Sequence, residues 1–132
     1  MRGVMRKTKP KGKTLAQWAE REVAAVRASL PADIRIQAEG IPVGYEPEPD
    51  PGLVADGVEP DTLGLFVGSD FVHERDGQGE LPPRIFLFLT PLWEEAEGDP
   101  ECFRAEVRRT YLHELGHYLG WEEEDMKARD LE

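Results

Sequence analysis

The chain has 132 residues, 39% hydrophobic and 33% charged, which suits one soluble globular domain and leaves little room for a second. Its longest apolar runs, such as residues 85–89, fall far short of the ~20 residues that cross a bilayer, and no apolar core follows the N-terminal basic residues; a membrane span and a secretory leader are both excluded as expectations. A single cysteine, Cys102, offers neither an intrachain disulfide nor a cysteine zinc site, so the chain is expected to be cytoplasmic. The formal charge of -11 is unevenly spread. Arg2, Arg6, Lys7, Lys9, Lys11 and Lys13 precede every acid, leaving ten basic against 27 acidic groups in the body. An acidic body repels phosphate backbones, so no nucleic-acid partner is expected, and residues 1–13 are assigned as a disordered, solubilising basic arm ahead of a domain spanning 14–132.

In chain order, Thr14 and Gln17 have the form of a capping box, and Leu15, Trp18, Ala19, Val23, Val26 and Leu30 recur at helical spacing, predicting a helix over 15–30. Pro31 ends it, and the alternation of Ile34, Ile36 and Ala38 with polar neighbours predicts a half-buried strand. Residues 40–61 hold five prolines among glycines and acids and are expected to form a long loop without regular elements. Strands are predicted over 63–68 and 84–90, joined by a polar hairpin-like connection, the second covered on both faces because of its continuous run Ile85 to Leu89. A short helical piece follows over 91–96. Asp99-Pro100, a capping residue before proline at the first helical position, then starts a long helix that runs to Leu119 and stops at Gly120.

Within that helix the chain reads His113-Glu114-Leu115-Gly116-His117. Side chains four apart lie one turn above each other, so both imidazoles project from one face and can bind a single ion. Zinc suits two imidazoles plus an oxygen ligand at an open four-coordinate site. Glu114 lies about 100° around the helix from His113, where it can hold a water at the metal without ligating the metal itself. Acting as general base on that water, it would drive attack on a polarised carbonyl, and the implied reaction is amide hydrolysis. Two histidines that merely packed or solvated the helix would leave the glutamate between them unexplained.

The third ligand is expected just past Gly120. The extended pattern His-Glu-x-x-His-x-x-Gly-x-x-ligand falls on Glu123, within an acidic run where Glu122, Glu124 and Asp125 remain alternatives; His73 is held in reserve. Tyr111 and Tyr118 are assigned to packing in preference to oxyanion donation, and Met126 lies too near the end of the sequence for a methionine turn to be claimed. An extended substrate is expected to pair along an exposed edge of the strand at 84–90 or its neighbour.

The pieces Leu63-Gly64-Leu65-Phe66, Glu74-Arg75, Leu81-Pro82-Pro83-Arg84-Ile85, Pro91-Leu92 and the stretch 113–125 occur in an order that resembles the small bacterial zincin-like metallopeptidase family, a likeness spanning about residues 14–126 and weakest over 40–61. The resemblance implies an α+β, minimal zincin-like fold, a small mixed sheet packed against a backing helix and a metal-binding helix. It carries over His113, His117 and the Glu123 position as zinc ligands and Glu114 as base; the family pattern usually has aspartate at the third ligand position, so glutamate is a departure. A zinc metallopeptidase acting on a peptide or protein substrate is therefore the first expectation. The alternative is a zincin scaffold with little or no activity that binds a protein partner, and a purely structural zinc ranks last because three ligands leave a position open.

Overall fold

The computed structural model describes residues 9–68 and 81–120 of the chain. Helix α1 (Gly12–Ser29) begins earlier than predicted: Lys11 occupies the N-cap without a side-chain bond, and Thr14 sits inside the first turn, so the expected capping box is not used. Its buried face is the predicted one, with Leu15, Ala19, Val23 and Val26 at spacings of four, four and three. Two residues assigned to the basic arm thus belong to α1, and Lys9 Nζ donates to Thr90 Oγ1 at 2.8 Å.

The predicted strand at 34–38 is instead helix α2 (Ala32–Glu39). Over five residues, alternation and a four-residue repeat share Ile34 and Ala38, and only Ile36 separates them. Ile34 and Ala38 are buried while Ile36 is 69% exposed, the helical outcome. Pro31 at the cap position and Asp33 in the first turn support it locally.

The proline-rich stretch 40–61 is also more ordered than predicted. It contains strand β1 (Val43–Glu46) and helix α3 (Pro51–Ala55), the latter capped by Asp50, whose Oδ1 accepts from the Leu53 N–H at 2.9 Å. β1 draws its order from a partner: it pairs in parallel with β3 (Arg84–Phe88), Val43 opposite Ile85 and Glu46 opposite Phe88. β2 (Gly64–Val67) pairs antiparallel with the other side of β3, Gly64 opposite Leu87 and Val67 opposite Arg84. The sheet is mixed, in the order β1-β3-β2, so the predicted strand at 84–90 is central and the edges fall to its neighbours.

β3 is two residues shorter than predicted because Leu89 and Thr90 open helix α4 (Leu89–Glu95), which accounts for the predicted piece at 91–96. The burial expectation for β3 holds in full on one face, where Ile85 and Leu87 are buried against the helices, and in part on the other, where Phe88 is buried, Phe86 half-buried and Arg84 exposed. Helix α5 (Pro100–Leu119) matches its prediction at both ends. Asp99 Oδ2 accepts from the Cys102 N–H at 2.9 Å, and Gly120 adopts φ +75°, its N–H bonding back to the carbonyls of Gly116 and His117.

α5 is clamped between α1 and the sheet. Trp18 of α1 and Trp93 of α4 both meet the ring of Phe103, with centroids 6.2 and 6.0 Å apart. Arg27 of α1 ties three segments together: its Nε donates to the Tyr111 hydroxyl at 2.9 Å and a terminal nitrogen donates to the Ile41 carbonyl at 2.8 Å. Arg27→Met keeps the aliphatic stem but strands both acceptors, and is expected to lower unfolding stability by about 1.5–3 kcal/mol in urea titrations. A change below a few tenths would show that water replaces the guanidinium. Among the described residues no helix is long and apolar enough to cross a membrane. The architecture is α+β, a small mixed sheet with helices, as the minimal zincin-like fold requires.

Candidate metal centre

The fourth and fifth turns of α5 deliver the three motif residues to one place. His113 is half-buried, His117 exposed, and Glu114 only 7% exposed. The two imidazole centroids lie 4.6 Å apart, inclined by 62°, and one ligand atom from each of His113, Glu114 and His117 falls within 4.8 Å of the others. His117 Nδ1 is 3.4 Å from Glu114 Oε1. The opposite face of the same turns carries Tyr111, Leu115 and Tyr118 into the core, which holds the helix in rotation. Both tyrosines are packed, as assigned: the Tyr111 hydroxyl is engaged by Arg27, and the Tyr118 ring meets Phe66 edge-on at 5.9 Å.

Strand β2 forms the wall beside Glu114. In an antiparallel ladder, residues alternate between facing the partner strand and facing away. The Phe88 N–H bonds to the Leu63 carbonyl, so Leu63, Leu65 and Val67 direct their backbone groups to β3, and Gly64 and Phe66 direct theirs to the opposite edge, which no strand pairs among the described residues. There the Phe66 backbone hydrogen-bonds the Glu114 carboxylate. Gly64 lies flat on α5: a Cβ at this position would stand 2.6 Å from Thr110 Cγ2 and 3.4 Å from Glu114 Cγ. Absence of a side chain at 64 is what lets the Glu114 carboxylate and the strand edge meet.

Burial pushes the Glu114 carboxyl above the usual carboxylate range, because the ionised form loses water; the imidazoles of His117 and His113 and the bond from Phe66 act against this without cancelling it. A buried, proton-seeking carboxylate beside two exposed or half-exposed imidazoles is the arrangement a general base needs. The donor set also fits zinc: two imidazole nitrogens one turn apart, reachable from solvent through His117, with a carboxylate alongside.

Glu123, its alternatives Glu122, Glu124 and Asp125, the reserve ligand His73 and Met126 all lie outside the described residues. Two contributors were missed by the sequence reading. Gly64 had a signal, since glycine inside a strand pattern marks close backbone approach. Phe66 had none, because its contribution is a main-chain group whose direction depends on the register against β3.

The sequence model of a zincin-like metallopeptidase family matches residues 38–132. The match begins near the end of α2, leaving α1 outside, and so covers less of the N-terminal side than the resemblance from residue 14; it includes the stretch 40–61. No match is found among curated proteins. With the match covering well over half of the chain, and the His-Glu-x-x-His group placed on a capped helix against the sheet, the protein belongs to the zincin-like metallopeptidase family.

Proposed function

We propose that the protein is a zinc-dependent peptidase in which His113 and His117 hold the ion, Glu123 is the third ligand and Glu114 is the general base. The observation that carries this reading is the convergence of both imidazoles and the buried Glu114 within 4.8 Å, beside a strand edge not paired among the described residues. Bound zinc supplies a Lewis acid that polarises the scissile carbonyl and lowers the pKa of an attacking water toward 7. Glu114 takes a proton from that water on a carboxylate oxygen and returns it to the nitrogen of the leaving amine, a transfer favoured by the upward shift of its pKa. An extended peptide seats along the edge of β2 that faces away from β3, which holds the scissile bond next to Glu114.

Metal content of protein purified without chelators tests the site. Near-stoichiometric zinc is expected, with affinity lowered at least tenfold in both His113→Ala and Glu123→Ala. Retention of full affinity in Glu123→Ala would move the third ligand to Glu122, Glu124, Asp125 or His73; no zinc uptake by the unaltered protein would turn the reading toward a binding scaffold.

A further inference from the structure

Of the three arginines in α5, two turn toward α1: Arg108 bonds to Glu22 at 2.6 Å, and the Arg104 guanidinium stands 5.0 Å over the Trp18 ring. Arg109 is placed differently. It precedes His113 by four residues, and His117 follows by four more, so the three lie along one stripe of the helix. Its side chain is 64% exposed, and it meets Glu106 Oε2 at 2.9 Å, back toward the start of α5. A solvent-facing pair three residues apart is weak, and a guanidinium that gives one nitrogen to it has further N–H groups for a ligand.

The run of β2 decides which part of a substrate crosses this stripe. Gly64 lies against Thr110 and Glu114, whereas Phe66 meets Glu114 and Tyr118, so β2 runs in the same direction as α5. A peptide paired antiparallel to β2, the more stable pairing, then runs from the Tyr118 end toward Thr110, and the residues after the scissile bond come over Arg109. The guanidinium lies between residues 109 and 106, about 6–10 Å from His113 along the helix axis at ~1.5 Å per residue. An extended chain covers that distance in about two to three residues.

We infer that Arg109 is a specificity-determining residue that binds a substrate carboxylate two or three residues beyond the scissile bond, so that the preferred substrates are peptides with a free C-terminus or an acidic side chain at that place. The inference rests on the peptidase reading above and deepens it. With 27 acidic against 16 basic residues, the protein as a whole repels anionic peptides, so a cation on the metal stripe selects the position of a negative charge and not its amount.

The test uses the zinc-loaded full chain and hydroxamates of malonyl-oligoalanine with one to three alanines, whose metal-binding group precedes the alanines and so puts them on the leaving-group side. Calorimetry is expected to show the free C-terminal acid binding about three- to thirtyfold tighter than the C-terminal amide at two or three alanines. The ratio is expected to fall to about one in Arg109→Met, to be kept in part by Arg109→Lys, and to rise in Glu106→Gln, which removes the competing carboxylate. Amides ending in aspartate distinguish an acidic side chain from the chain terminus as the source of the carboxylate. Equal affinities of acid and amide at every length, or an advantage that survives in Arg109→Met, would overturn the inference. So would a larger gain from a carboxylate on the other side of the metal, read with succinyl- against acetyl-dialanine hydroxamate. Acetohydroxamate reports the metal site separately: if it fails to bind, the peptidase reading falls and takes the inference with it, and if it binds while acid and amide stay equal, the role of Arg109 alone falls.

Discussion

Replacing Glu114 with glutamine is expected to lower kcat by about 10²–10⁴-fold while leaving zinc content unchanged, because the amide cannot accept the proton yet keeps the oxygen that meets the Phe66 backbone. A structural role alone would not separate these readouts, so metal content has to be measured beside turnover. The same substitution is expected to raise the thermal midpoint of the metal-free protein at neutral pH. The sign follows from burial: a carboxyl whose folded pKa lies above its ordinary value penalises the fold once pH exceeds the unfolded value, and the penalty is complete above the folded one. Below about 4.5, the ordinary value for this group, both states carry the proton and the advantage of glutamine is expected to vanish. Thermal melts of the two proteins between pH 4 and 8 check this; a constant offset across that range would remove the charge-burial explanation. Function is then seen to oppose stability at this position, as is common where a site holds a buried ionisable group.

The second large effect is at Gly64. Alanine there would ordinarily stabilise by about 0.4–1 kcal/mol through the unfolded chain, since nothing about its backbone excludes a side chain. Here the added methyl stands 2.6 Å from Thr110 Cγ2 and 3.2 Å from the Phe86 carbonyl oxygen, inside a packed layer. Overpacking of this kind costs about 1–3 kcal/mol, so the net effect of Gly64→Ala is expected to be destabilising. Relief by moving β2 away from α5 separates the Phe66 amide from Glu114, and turnover is expected to fall by more than tenfold even where the protein remains folded. Thr110→Ser removes the methyl that clashes. The double variant Gly64→Ala with Thr110→Ser is therefore expected to recover most of the lost stability and a measurable part of the activity. Urea titration with a double-mutant cycle reads the coupling; additive losses would place the cost elsewhere.

The metal helix was legible because its signals are local. Asp99-Pro100 fixes the start, Gly120 fixes the stop, and the four-residue spacing of His113 and His117 needs only helical geometry to bring the rings together at 4.6 Å. The buried face of α1 was legible for the same reason, although its first turn was not, since Lys11 caps without a side-chain bond. Ambiguity entered where an element is short. At 34–38 the strand and helix periods coincide at Ile34 and Ala38, and the exposure of Ile36 is a fact of packing. At 50–51 the cap-proline pair repeats the signal used at 99–100, and the proline-rich surroundings obscured it.

By itself the sequence determined the helix that carries His113, Glu114 and His117, the mixed α+β class and the grouping of three side chains that could hold a metal ion, because helical hydrogen bonds close within four residues and those side chains lie within five. Tertiary structure alone decided that residues 43–46 form a strand, that β3 is central, and that Gly64 and Phe66 rather than their neighbours face Glu114. The reason is physical. Strand pairing joins residues about twenty or more apart in the chain, and a shift of one residue in register reverses which backbone groups reach the site.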